Sequence, residues 1–303
     1  MAVIDLFNTY TSLVVEPAEL PLFVKKKLNV FIVRTDLVHP LISGNKWYKL
    51  KYNLLAAHEG SVSRVISFGG AYSNHIHALA WASKQLGIAC TGVMRGEEVV
   101  NPMLLDAQSW GMKLHFVDRA NYRKRHDPQW LGALQREVGG GVIIPEGGSN
   151  ALAIRGVAEL MNDISITLPN LDYLLCACGT GGTLAGLISG APNELKLEGY
   201  PVLKGANFLY GDIQQLLQAA NVDAHCSWSL DLDAHYGGYG KINTEHKAHW
   251  LALEEQFKML FDPVYTSKLV RRFLEKVEQD AYPIGSTVAL VHTGGLQGRR
   301  SVL

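Results

Sequence analysis

What most limits the folds open to this chain is the way its apolar runs end. From residue 64 to residue 187, short strand-like runs alternate with helical stretches, and three of the runs lead into glycine-containing turns. Residues 64–68 run into Gly69-Gly70-Ala71-Tyr72-Ser73-Asn74-His75. Residues 142–144 run into Pro145-Glu146-Gly147-Gly148-Ser149-Asn150, and residues 173–178 into Gly179-Thr180-Gly181-Gly182-Thr183. Further strands are read at 88–94 and 113–117, with helices at 76–86, 101–110, 151–161 and through Leu187. Strands that are apolar throughout and separated by helices predict parallel sheets with helices on both faces.

The flanks are less regular. Residues 1–30, with Pro17 and Pro21, read as loop, 30–34 as a short strand, and 47–59 as an amphipathic helix ended by Gly60. Residues 118–140 are polar, and Arg119, Arg123, Lys124 and Arg125 read as a solvated helix face, not an anion site. Residues 201–203 and 224–227 are candidate strands, 256–260 closes a helix, and 287–295 holds the last strand and its exit loop.

Composition excludes several classes of partner. Lys and Arg total 28, and so do Asp and Glu, so no net field draws nucleic acid or an anionic membrane. No apolar run reaches the ~18 residues of a transmembrane helix. Met1-Ala2-Val3-Ile4-Asp5-Leu6 lacks the basic start and long apolar stretch of a signal peptide. Four scattered cysteines, Cys90, Cys176, Cys178 and Cys226, fit free thiols in a reducing cytoplasm. Cys176 and Cys178 share one face of a buried strand and read as core residues. His75 and His77 cannot share a helix face. His246 and His249 can, but no further ligand accompanies them, so no metal site is expected.

The chemistry is concentrated in one lysine and two turns. Lys46 follows Ser43-Gly44-Asn45 and opens the helix carrying Trp47, Leu50, Leu54 and Leu55. A lysine anchored at a helix start has a fixed origin, and the helix dipole lowers its amine pKa. Such an amine suits carbonyl chemistry, above all a Schiff base with pyridoxal phosphate. Alone, a lysine after a turn is most often a solvated charge, so the assignment depends on the rest of the chain.

The turn from Gly179 to Thr183 is the clearest anion site. Glycines let the backbone approach a phosphate, the helix start offers free N–H groups, and Thr180 and Thr183 add hydroxyl donors. A P-loop needs a lysine after the glycines, and a dinucleotide fingerprint needs a third glycine where Leu184 stands. Both fail. What remains is a small phosphate ester, or a tight turn that binds nothing. Ser73 and Asn74 lie at the carboxyl end of a predicted parallel strand, where open α/β sheets bind ligands. There an amide can bond a cofactor oxygen and a hydroxyl can hold a substrate carboxylate; the alternative for Ser73 is a helix N-cap.

Seven motifs occur in one order. They are Ser43-Gly44-Asn45-Lys46-x-x-Lys49-Leu50, Gly70-Ala71-x-Ser73-Asn74-His75, Gly147-Gly148-Ser149-Asn150, Gly179-Thr180-Gly181-Gly182-Thr183, Gly238-Tyr239-Gly240, Asp262-Pro263-Val264-Tyr265-Thr266 and His292-Thr293-Gly294-Gly295. Over roughly residues 30–297 they resemble the 1-aminocyclopropane-1-carboxylate deaminase and D-cysteine desulfhydrase family of pyridoxal-phosphate enzymes, of tryptophan synthase β-like fold (fold type II).

The resemblance implies an α/β protein of two doubly wound open-sheet domains with the cofactor in the cleft between them. The small one covers residues 51–152, and the large one combines 1–50 with 153–303. Lys46 would be the Schiff-base lysine and general base, and Lys49 would help neutralise the phosphate cradled by Gly179, Thr180, Gly181, Gly182 and Thr183. Asn74 would bond the pyridine-ring oxygen, and Ser73, Asn74 and His75 would line the substrate pocket. Tyr239 and Tyr265 would be active-site tyrosines, where otherwise they read as a loop anchor and a packed aromatic. Thr266 would face the pyridine nitrogen. A homodimer acting on a small amino acid is the family expectation.

Thr266 bears on the reaction. Ring-opening deaminases look to have a glutamate there, which keeps the pyridine nitrogen protonated and strengthens the electron sink. A neutral hydroxyl gives a weaker sink, sufficient for α-proton removal and loss of a good β-leaving group such as thiolate. The implied reaction is α,β-elimination, for instance from D-cysteine, giving pyruvate, ammonia and sulfide. Its rivals are ring opening or racemisation on the same cofactor, cofactor binding without turnover, and nucleotide binding at 179–183. Ser43, Trp47, Tyr48, His77 and Glu146 depart from the family pattern and are expected to cluster near the pocket.

Overall fold

A computed structural model describes residues 3–8 and 12–302. Residues 1, 2, 9–11 and 303, which the sequence reading assigns to N-terminal loop and to the large unit, lie outside the described residues. The N-terminal stretch read as loop contains α1 (Val3–Phe7), β1 (Val15–Pro17) and α2 (Pro21–Lys26). Pro21 starts α2 at a position where its missing N–H would have no helical partner anyway. β2 (Asn29–Val33) pairs antiparallel with β1, and α3 (Asn45–Glu59) follows.

β3 (Arg64–Gly69), β4 (Ala89–Arg95), β5 (Lys113–Val117) and β6 (Val142–Ile144) form a four-stranded parallel sheet in the order β5-β4-β3-β6. Between these strands run α4 (Asn74–Leu86), α5 (Pro102–Ser109), α6 (Arg119–Arg123) and α7 (Pro128–Glu137). Then come α8 (Ala151–Thr167), β7 (Tyr173–Cys178), α9 (Gly182–Gly190), β8 (Lys196–Pro201), α10 (Leu209–Ala219) and β9 (Ser227–Leu230). The chain closes with α11 (Thr244–Phe257), α12 (Thr266–Glu278) and β10 (Thr287–Val291). The second sheet runs β1-β2-β10-β7-β8-β9 and is parallel except at β1.

Several elements differ from the sequence reading. The polar stretch 118–140 holds two helices whose Tyr122 and Leu134 are buried against Phe68, so only part of it is solvated. The strand expected at 201–203 is the end of β8. Its interior residue Glu198 masks the apolar signal, being satisfied by the hydroxyls of Tyr200 and Tyr282 at 2.7 and 3.0 Å and by Lys276 at 2.6 Å. β9 starts where the expected strand at 224–227 ends, and α10 and α12 stand where no element is predicted. All four cysteines are free and buried. No helix among the described residues is long and apolar enough to cross a membrane.

The topology positions the site. From β7 the chain continues to β8 and β9 on one side, while β10 and β2 lie on the other. In the smaller sheet the exit of β3 lies likewise between β4 and β6. Open parallel sheets hold ligands at such reversals. α3 is drawn in by α8: a Cβ at Gly156 would stand 2.0 Å from the Tyr48 carbonyl oxygen, so only glycine permits the approach.

Candidate active site

A cavity of about 650 Å³ lies where the two strand exits meet. Gly70, Ser73, Asn74 and His75 line it after β3, and the turn from Gly179 to Thr183 lines it after β7. Lys46 enters from the first turn of α3 and Lys49 from the next, and Tyr239, Tyr265 and Thr293 complete that part of the wall. The start of α3 is fixed by Gly44, which has φ +70° and sits so close to β10's exit that a Cβ would lie 1.9 Å from the Thr293 carbonyl oxygen.

Lys46 is half-buried, and its Nζ donates to Asn45 Oδ1 at 3.0 Å. Burial lowers its pKa to about 8, with Asp262 pulling the other way. Desolvation, and not the helix dipole named from the sequence, is therefore the main cause. Lys49 is 1 % exposed and donates to Ser149 Oγ at 2.8 Å. Burial and then the neighbouring Lys46 hold its pKa well below the usual lysine value. Ser149 Oγ is in turn 2.6 Å from Thr180 Oγ1, and Asn45 Nδ2 donates to Thr183 Oγ1 at 2.6 Å. The lysine-bearing helix and the glycine turn are thus joined at both ends of the turn. A Cβ at Gly182 would fall 2.4 Å from Ser149 Oγ and 2.9 Å from Lys49 Nζ, so the turn keeps open a space bordered by a buried lysine amine and two hydroxyls. α9 begins at Gly181 with no side-chain cap, which leaves its first N–H groups available to an anion.

On the other side of the cavity the polar groups already have protein partners. Ser73 Oγ accepts from Ile76 N at 3.3 Å and so caps α4, while also lining the cavity. Asn74 Oδ1 accepts from Gln297 Nε2 at 3.0 Å. His75 is 1 % exposed, and its Nε2 lies 2.7 Å from Ser67 Oγ. Ser67 gives its one hydroxyl proton to Ile144 O at 2.7 Å, so the histidine must donate from Nε2. Its Nδ1 has no partner. Burial and the charges of Lys46 and Lys49 push the His75 pKa well down, so the ring is neutral and adds no positive charge.

Tyr239 and Tyr265 meet edge to face, with ring centroids 6.0 Å apart at 71°. Burial raises the pKa of both hydroxyls, keeping them protonated. Tyr265 adjoins the glycine turn, since a Cβ at Gly179 would lie 3.2 Å from its hydroxyl. Thr266 is 1 % exposed and does not line the cavity; its Oγ1 lies 3.5 Å behind that of Thr293, which does.

Of the five departures, only Glu146 lines the cavity. Trp47 packs on Phe7 and His39, with centroids 4.8 and 5.3 Å away, and His77 Nε2 is 3.0 Å from Asp106. Ser43 and Tyr48 are buried away from it. Glu146 pairs with Arg125 at 2.8 Å and accepts from Tyr122 at 2.8 Å. Arg125, read from the sequence as solvated, therefore belongs to the cavity wall, as do Arg95 and His126. The sequence reading also misses Ser149, Thr293, Ser67 and Gln297. The first two lie inside quoted motifs and were within reach; Ser67 and Gln297 carry no local signal. Among the described residues, no group of three or more His, Cys, Asp or Glu side chains is arranged to hold a metal ion.

The donor set fits pyridoxal phosphate. One face of the cavity offers uncapped N–H groups, hydroxyls and a buried lysine for a phosphate ester, and Lys46 offers an amine that is substantially neutral near pH 8. Comparison with known proteins agrees. The chain is 28 % identical to a Pyrococcus abyssi protein named, provisionally, a 1-aminocyclopropane-1-carboxylate deaminase, over 89 % of this chain and 86 % of that one. It is 26 % identical to an Arabidopsis thaliana mitochondrial protein named bifunctional D-cysteine desulfhydrase/1-aminocyclopropane-1-carboxylate deaminase, over 89 % of this chain and 73 % of that one. The solved structure of an ACC deaminase homologue superposes with a TM-score of 0.82 at 24 % identity, covering 98 % of this chain and 95 % of that one, and so shares the fold. The sequence pattern of the pyridoxal-phosphate dependent enzymes matches residues 15–294, and the chain belongs to that family.

Proposed function

We propose that this enzyme catalyses α,β-elimination from a small amino acid, with D-cysteine as the leading substrate and pyruvate, ammonia and sulfide as products. The observation that carries this reading is the neutral hydroxyl of Thr266, at the position where a ring-opening enzyme is expected to carry a glutamate, which lies 3.5 Å from the hydroxyl of the cavity-lining Thr293. The neighbouring carboxylate of Asp262 is occupied by the N–H groups of Val264, Tyr265 and Thr266 at 2.7 to 3.0 Å. Lys49, Ser149 and the 179–183 turn would hold the cofactor's phosphate, and Asn74, oriented through Gln297, would bond its ring oxygen. When bound, pyridoxal phosphate supplies an aldehyde for Lys46 and an electron sink for the substrate's α-carbon. Lys46, with its lowered pKa, takes the α-proton. The protonated hydroxyls of Tyr239 and Tyr265 face the leaving group, and Ser73 holds the substrate carboxylate beside a neutral His75. With this reading go a small unit over 51–152, a large one over 1–50 and 153–303, a homodimer and a cytoplasmic setting.

A panel of D-cysteine, L-cysteine, β-chloroalanine, D-serine and 1-aminocyclopropane-1-carboxylate, assayed side by side on the cofactor-loaded protein, tests it. Pyruvate from D-cysteine or β-chloroalanine supports elimination. Turnover of the cyclopropane substrate alone sinks it. Bound cofactor colour with no product from any of the five replaces it with binding without turnover.

A further inference from the structure

Lys268 takes no part in the chemistry above, yet its side chain is 0 % exposed. It stands in the first turn of α12, three residues after Tyr265. Its Nζ donates to two backbone carbonyls, of His235 and Gly238, each at 2.8 Å. No carboxylate among the described residues lies within ion-pair distance of it. Asp262 is the anion that acts on it, and burial still lowers its pKa to about 8. An ammonium removed from water and satisfied by carbonyls alone is an expensive contact for a surface loop to rely on.

The loop it holds runs through left-handed backbone that its glycines adopt freely and that strains only Tyr236. Tyr236, Gly237, Gly238 and Gly240 have φ of +42°, +93°, +115° and +64°. Its own bonds are few: Gly238 N to His235 O at 3.0 Å, Lys241 N to Gly238 O at 3.2 Å and Gly237 N to His235 Nδ1 at 3.0 Å. Both carbonyls gripped by Lys268 therefore also close the turn that carries Tyr239.

We infer that Lys268 is a positioning residue, whose ammonium ties the Tyr239 loop to the helix bearing Tyr265 and so sets the two hydroxyls against each other in the cavity. The functional half of this inference rests on the reading of Tyr239 as an active-site group. The test uses cofactor-loaded Lys268→Met, Tyr239→Phe and the double variant. Lys268→Met should keep the bound-cofactor absorbance and KM while losing about tenfold in kcat, and the double variant should be no slower than the slower single variant. Amide exchange across residues 236–241 should quicken in Lys268→Met while that of β7 stays unchanged. Should Lys268→Met not fold, Lys268→Gln, which keeps donors without the charge, replaces it in the same cycle. Losses that multiply in the double variant overturn the inference, because the lysine then acts on the fold and not through the tyrosine. Unchanged exchange overturns the tether itself, whatever the reaction proves to be. Full activity in Tyr239→Phe removes the tyrosine's catalytic role, and the functional half falls with it.

Discussion

The exits of β3 and β7 occupy equivalent places in their sheets but are furnished in opposite ways. After β7 the helix starts on Gly181 without a cap, and the space before it is edged by Lys49, Ser149 and Thr180. After β3 the helix is capped by Ser73, and Asn74 and His75 are bonded to Gln297 and Ser67. The first arrangement suits an unvarying charged group, because backbone N–H groups and a dipole recognise charge and little else. The second suits discrimination, because side chains held in set orientations reject molecules that cannot match them.

Lys46 stands between these exits, and its removal should have the largest effect. Lys46→Ala should abolish the visible absorbance of cofactor joined to lysine and cut turnover by about 10³-fold or more, read by spectrum and pyruvate release. A variant that keeps the band would place the reactive amine elsewhere. Next comes Gly182→Ala, whose methyl would press on Ser149 and Lys49. Cofactor affinity should fall by about 10- to 100-fold on titration of the apoprotein, a cost of about 1.4 to 2.7 kcal/mol. Unaltered affinity would break the contrast between the exits.

The third effect is one of pH. An amine with a pKa of about 8 is mostly protonated at pH 7 and mostly neutral at pH 9, so loading of the apoprotein should quicken by about tenfold over that range. A flat profile would show that desolvation does not set the amine's reactivity. The smallest effect belongs to Ser73→Ala, which should cost about 1 kcal/mol in thermal unfolding through the lost cap and raise KM without weakening cofactor binding. Weakened cofactor binding there would erase the division of labour.

Much of this arrangement is local and hence legible in the sequence. Apolar strands and glycine exits announce parallel sheets and an anion turn because both depend on neighbouring residues. α12 escapes notice because its N–H groups are satisfied by Asp262, set four residues ahead of Thr266, so no Ser, Thr, Asp or Asn stands at the usual capping position. Arg125 escapes because its partner Glu146 meets it only in the folded chain. Trp47 and Tyr48 mislead in the other direction. Successive helical residues point about 100° apart, so Lys46 and Lys49 share a face while the two between them turn into the core.

Gly44, wedged against the Thr293 carbonyl, has a consequence for the order of assembly. Residues 29–33 also pair with residues 287–291, so the seat of Lys46 is completed by a segment some 240 residues further along the chain. A growing chain carries its reactive amine long before residues 287–293 exist to seat it, so the pocket around Lys46 forms only after they have been added.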